Sequence, residues 1–256
     1  AMATGSPPRS SVISHSRGNG SLRDRMSIPI ARRVTDPATP ADRLRDVTRT
    51  IDKAAARANR KAHEVTLIAV SKTQDAAAIR PLLDAGHRVF GENRVQEATA
   101  KWAELRADYD GVELHLVGQL QSNKAAQAVA LFDAIHSVDR LSLVAALGKA
   151  AAQSGKHPAC FIQVDLAGEP QKGGCPVPDL AELLVAARDA GLTVRGLMSV
   201  PPNGLEPAPW FALLAKIAND HGIPQLSMGM SSDYPIAVTL GATHVRVGTA
   251  LFGPRI

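Results

Sequence analysis

The feature that most limits what this chain can fold into is a regular alternation, from residue 65 onward, of short apolar runs with longer amphipathic stretches. Runs of strand length fall at 65–70, 88–90, 113–117, 134–136, 160–164, 193–197, 225–227 and 244–247. Between them, at 76–85, 95–106, 123–131, 141–154, 179–190, 210–221 and 232–240, apolar residues keep to one side, as on a surface helix. Strands that alternate with helices through short connections pair in parallel, because a parallel neighbour is reached only by a crossover. Eight such units in 256 residues predict an α/β fold of one domain, a single (β/α)8 TIM-type barrel, in preference to an open doubly wound sheet.

An additional helix is expected before the first strand, over 41–63, where Leu44, Val47, Ile51 and Ala55 recur at helical spacing. Gly86, Gly191 and Gly241 stand just after expected helices, where the left-handed cap suits a residue without Cβ. The domain is expected to occupy 36–256.

Residues 1–35 read differently. They are rich in Ser, Gly, Pro and Arg, lack apolar periodicity, and are expected to be a disordered basic head. Its composition resembles an organellar transit peptide, and a simpler account is extra residues before a start at Met26. Six arginines against Asp24 alone put the entire formal net charge of +5 in this head, leaving 23 basic and 23 acidic residues in the remainder. A neutral body gives no electrostatic reason to expect a nucleic-acid partner. No apolar run approaches the roughly 20 residues of a membrane span. Cys160 and Cys175 have neither CxxC spacing nor the number for a disulfide framework, which fits a reducing, cytoplasmic setting. His87, His115, His136 and His244 lack metal-ligand spacing and are expected to be satisfied polar groups at strand edges, with no metal site. Trp102 and Trp210 read as helix packing.

In a β/α barrel the working residues stand on the loops after the strands. Lys72 follows the first strand, where partial desolvation of its stem would favour the neutral amine that Schiff-base formation needs. After the seventh strand, Ser227, Gly229 and Ser231 lie in a small-residue segment leading into a helix, a setting for an anion or for an ordinary N-cap. Gly248 and Thr249 follow the eighth strand, and the loops after strands seven and eight form the recurrent phosphate site of such barrels. Arg246, two residues before Gly248, points into the barrel if Val245 and Val247 point out; it then needs either a carboxylate or a ligand acceptor.

The strings AVSKTQ, FGENRVQE, HLVGQLQSNK, HSVDR, GLMSVPP, LSMGMSSD and VRVGTALFG together resemble the pyridoxal 5'-phosphate (PLP) homeostasis proteins, a family related to the N-terminal domain of alanine racemase. The resemblance spans residues 44–252. It implies PLP held as a Schiff base on Lys72, with Ser227, Gly229, Ser231, Gly248 and Thr249 around the phosphate. It also implies Arg246 at the pyridine nitrogen and Asn93 in the pocket wall. It further implies a part in intracellular vitamin B6 and amino-acid homeostasis. The chain is expected to be a monomer, with PLP-dependent apoenzymes as recipients. Arg94 stands where family members often carry an aromatic residue, and Cys175 matches no family signature.

An arginine at the pyridine nitrogen keeps that nitrogen unprotonated and weakens the ring as an electron sink. Racemases of this arrangement use a second base on the opposite face. The two tyrosines, Tyr109 and Tyr234, are poor candidates for it from their places in the sequence. The expected role is therefore a PLP carrier with no catalytic residue. The alternatives are a PLP-dependent amino-acid racemase and a barrel for another phosphate ligand.

Overall fold

A computed structural model describes residues 38–253 of the chain. The expected basic head, 1–35, lies outside the described residues. Eight parallel strands form the barrel: β1 (Thr66–Val70), β2 (Val89–Glu92), β3 (Glu113–Leu116), β4 (Ala134–Val138), β5 (Ala159–Asp165), β6 (Thr193–Met198), β7 (Gln225–Ser227) and β8 (His244–Val247). Neighbours follow chain order, β1 also pairs with β8, and the β4–β5 pairing leaves no free edge. The predicted (β/α)8 barrel is the observed fold.

Helices α1 (Pro40–Arg57), α2 (Ala76–Asp84), α3 (Val95–Asp108), α4 (Ala125–Leu131), α5 (Leu141–Ser154), α6 (Leu180–Asp189), α7 (Ala208–Asp220), α8 (Tyr234–Thr239) and α9 (Thr249–Phe252) accompany the strands. Val245 and Val247 belong to the buried apolar layer shared with the helices. Alternation along β8 therefore turns His244 and Arg246 inward. Inside the barrel, a Cβ at Gly196 would lie 2.4 Å from the Phe161 ring, so only glycine leaves room for that aromatic.

The extra helix is shorter than expected. Asn59 adopts φ +53, its N–H donates to the Ala56 carbonyl, and the Arg60 N–H donates back to the Ala55 carbonyl. This pattern of two closing bonds ends α1 at Arg57, six residues before the expected end, because asparagine tolerates the left-handed conformation. At its other end Thr39 and Asp42 form a reciprocal capping box. The helix packs on α8 and α9. Arg60 donates to the Val238 carbonyl at 2.8 Å, and Arg43 reaches the Leu251 carbonyl at 3.4 Å. The additional helix thus steadies the elements that follow β7 and β8.

Two further elements were not expected. Cys175–Pro176 is a short strand beside the end of β5, and α9 is a single helical turn after β8. No described helix is long and apolar enough to cross a membrane.

Candidate functional site

At the C-terminal ends of the strands lies a cavity of about 700 Å³. Six of the eight expected residues line it: Lys72, Asn93, Ser231, Arg246, Gly248 and Thr249. Val70, Val117, Val200 and Met230 give it an apolar wall. These residues come from β1, β2, β3, β6, β7, β8 or the loops after them, so only the closed barrel brings them together.

Lys72 stands two residues beyond β1 and is exposed, so the partial desolvation expected of it is not found. The reason is local. Thr73 takes φ +63, an unusual conformation for a β-branched residue, and the chain turns outward as the Gln74 N–H closes on the Ser71 carbonyl.

That turn is braced from beneath by a network the sequence reading missed. Glu92, at the end of β2, is fully buried, and its Oε1 accepts from the Ser71 hydroxyl at 2.6 Å and from Trp102 Nε1 at 2.9 Å. Lys101 Nζ lies 2.8 Å from the same oxygen and also donates to the Ser71 and Gln74 carbonyls at 2.8 and 3.0 Å. One ammonium thus clamps both ends of the turn that carries Lys72. The Glu in FGEN was visible, but nothing in the helical pattern distinguishes Lys101 from a solvated surface lysine.

Asn93 reaches the cavity over Gly118, where a Cβ would sit 2.3 Å from the Asn93 carbonyl oxygen. Arg94 points away. It is exposed and pairs with Glu97 at 3.1 Å, so the residue that departs from the family's common aromatic does not line the cavity.

On the opposite wall, the N–H groups of Gly248 and Ala250 converge on Ser231 Oγ at 3.1 and 3.3 Å. The Ser231 hydroxyl proton is left to donate elsewhere. Thr249 stands between the two amides, on the first residue of α9. This cup, formed by the loops after β7 and β8, suits an anion with several acceptor oxygens.

Arg246 is buried inside the barrel, as its alternation suggested. It finds neither a carboxylate nor the isolation that would neutralise it: Nη1 donates to Ser227 Oγ at 2.7 Å and Nη2 to the Ser199 carbonyl at 2.9 Å. Burial pushes its pKa down to about 10, with Asp233 opposing the shift, so it remains a cation at neutral pH.

Ser227 and Gly229 do not line the cavity. Ser227 is fully buried below it, because the last residue of β7 faces the barrel interior. Gly229, at φ +92, is a packing position, where a Cβ would lie 2.5 Å from that of Ala237. The tyrosines also lie elsewhere: Tyr109 donates to Asp84 at 2.6 Å beyond α3, and Tyr234 is buried in α8. His115, His136 and His244 occupy the barrel interior, not strand edges, where they meet one another and Phe161. His115 and His136 are bonded to each other at 3.0 Å.

Fold and cavity together define a β/α barrel of the alanine racemase N-terminal type: the family model described as "Alanine racemase, N-terminal domain" matches residues 44–255. The chain belongs to that family, and within it to the pyridoxal phosphate homeostasis proteins. It is 41% identical over 224 residues to the pyridoxal phosphate homeostasis protein of Pseudomonas aeruginosa, covering 85% of this chain and 96% of the relative. The Escherichia coli protein of the same name is 37% identical over 225 residues, covering 84% and 96%. Among solved structures, PipY of Synechococcus elongatus with PLP bound is 43% identical, with a TM-score of 0.73 over 84% of this chain and all of PipY. Alanine racemase of Clostridium difficile, 16% identical with a TM-score of 0.60 over 84% of this chain and 57% of the racemase, shares the fold.

Proposed function

We propose that this chain binds PLP as a Schiff base on Lys72 and acts as a carrier in intracellular PLP and amino-acid homeostasis. The observation that carries the reading is the convergence of an amine, an anion cup and a fixed arginine on one cavity. PLP bound there supplies an aldehyde, which condenses with a primary amine with release of one water. Lys72 is the only primary amine among the described residues that line the cavity. The Ser231 hydroxyl, held by the Gly248 and Ala250 N–H groups, has its own proton to offer a phosphate, with Thr249 beside it. Arg246 can only donate, so it suits an unprotonated pyridine nitrogen. Asn93 and the valines complete the wall. The residues fit the group, and the PLP-bound PipY and the names of the relatives support the same ligand.

A carrier, as opposed to a racemase, is supported by the lining itself. Lys72 and Arg246 are the only ionisable side chains among the described residues around the cavity, so no second base faces Lys72. Arg246 at the ring would further disfavour carbanion chemistry. In this reading the protein works in the cytoplasm as a monomer, and PLP-dependent apoenzymes receive what it releases.

The test is spectroscopic. Wild-type protein titrated with PLP should develop a visible band that borohydride bleaches, and Lys72→Ala should not. A wild type that takes up no chromophore overturns the ligand. Substrate-dependent exchange of an amino-acid α-proton in heavy water overturns the carrier role.

A further inference from the structure

The serine expected at the phosphate begins a polar chain through the barrel core. Arg246 Nη1 donates to Ser227 Oγ at 2.7 Å, Ser227 Oγ lies 2.8 Å from His136 Nδ1, and His136 Nε2 lies 3.0 Å from His115 Nδ1. Beyond His115, its Nε2 faces the Glu113 carboxylate at 3.8 Å, on the exposed side of the barrel floor. Ser227 and His136 are fully buried and His115 is 4% exposed, so no water competes for these bonds.

The direction of the chain follows from one donor. A guanidinium has no acceptor, so Ser227 Oγ accepts from Arg246 and has one hydrogen to place. Passing it to His136 Nδ1 satisfies every group: His136 then donates from Nε2 to His115 Nδ1, and His115 keeps its hydrogen on Nε2. The reverse direction leaves the buried Ser227 proton without an acceptor, and a buried donor left unpaired is disfavoured. The charged and titratable groups around His136 come from several elements. From β8 come Arg246 and His244, the latter with ring centroids 5.8 Å away; from β3 come His115 and, beyond it, Glu113. From β5, Phe161 stacks on the ring at 4.1 Å, and Asp233 acts on Arg246. Burial first, then the proximity of His115, His244 and the Arg246 cation, holds His136 well below the usual histidine range.

We infer that His136 and His115 are positioning residues for Arg246: with their ring hydrogens on Nε2 they orient the Ser227 hydroxyl, whose lone pair then fixes the guanidinium facing the cavity. The link to the cofactor ring rests on the PLP reading above. The Ser199 carbonyl is the other anchor, and with Ser227 lost the guanidinium is free to pivot about it.

Two measurements test this. In the first, ¹⁵N-histidine NMR of the cofactor-free protein at pH 8 should show both residues as Nε2–H tautomers, with His136→Phe identifying the signals. An Nδ1–H tautomer at either residue, or an imidazolium at His136, overturns the relay. In the second, Ser227→Ala and His136→Phe, the latter keeping the stack on Phe161, should each weaken PLP binding about tenfold. The double variant should lose no more than either single, since both break one unit. Unchanged affinity in the singles, or additive losses, overturns the positioning role. If His136→Phe does not fold, His115→Gln, outside the cavity, takes its place with the same expected loss, and unchanged affinity there has the same meaning. A wild type that takes up no PLP overturns the cofactor reading and with it the link to the ring. Normal uptake with the wrong tautomers overturns the relay alone.

Discussion

Gly248 and Ser231 meet across the two loops that close the barrel, the Gly248 N–H donating to Ser231 Oγ at 3.1 Å. The hydroxyl also accepts from Ala250, so one oxygen marks the point at which two backbone amides converge. Ser231→Ala removes that acceptor and a donor to the ligand together. Its expected effect is a loss of PLP affinity of about tenfold, the value of one net hydrogen bond. Melting temperature should hardly change, because Ser231 is only half-buried and water can replace it. A fluorescence titration of PLP binding checks this, and an unchanged affinity would remove Ser231 from the site.

Glu92 and Lys101 form a pair of which the carboxylate is fully buried and the lysine side chain 10% exposed. Glu92→Ala strands the ammonium and frees the turn that carries Lys72. Breaking such a pair from one side costs about 3–5 kcal/mol, so the urea midpoint should fall sharply. A midpoint within experimental error of wild type would show that water already screens the pair.

Much of this site is legible in the sequence, and the limit has a physical basis. Loop positions after strands are readable because the β/α period fixes which end of each strand they occupy, so Lys72, Ser231, Gly248 and Thr249 could be placed together, while Asn93 entered through the family resemblance. The strand alternation also turned Arg246 inward. Ser227 was misplaced by one layer: it ends β7, and whether a strand-end residue faces the cavity or the core depends on stagger between strands, which no single segment encodes. Lys101 and the histidines gain their partners only through closure. His115 and His136, for example, are 21 residues apart and touch only because β3 pairs with β4.

Gly118 illustrates a constraint that the sequence contained without explaining. Gly118→Ala would place a methyl 2.3 Å from the Asn93 carbonyl oxygen, so the FGEN loop must lift. Overpacking of this kind costs about 1–3 kcal/mol. Thermal unfolding should report that loss, and Asn93 amide shifts should report the displacement. Stability equal to wild type would mean the loop yields freely.

The interior histidines give stability a pH dependence of definite sign. Burial first, then the proximity of the other interior histidines and of the Arg246 cation, holds His244 down to about 3 and His136 well below its usual value near 6.5. Both are neutral in the folded protein while the unfolded chain takes up protons below about pH 6.5. Their contribution is therefore complete above that pH and falls as pH drops from about 6.5 toward 3, by at most about 1.4 kcal/mol per pH unit for each histidine. Urea unfolding at pH 8 and pH 5 should show this loss, and His136→Phe should show a shallower one. Equal slopes in the two proteins would contradict the assignment.

The central claim is that Lys72 is the residue joined to PLP. Reducing the PLP-loaded protein with borohydride, digesting it and mapping the modified peptide by mass spectrometry tests this most directly. The expected result is one phosphopyridoxyl group, on Lys72. Modification at another lysine, such as Lys101, Lys124 or Lys172, with Lys72 unmodified, would contradict it.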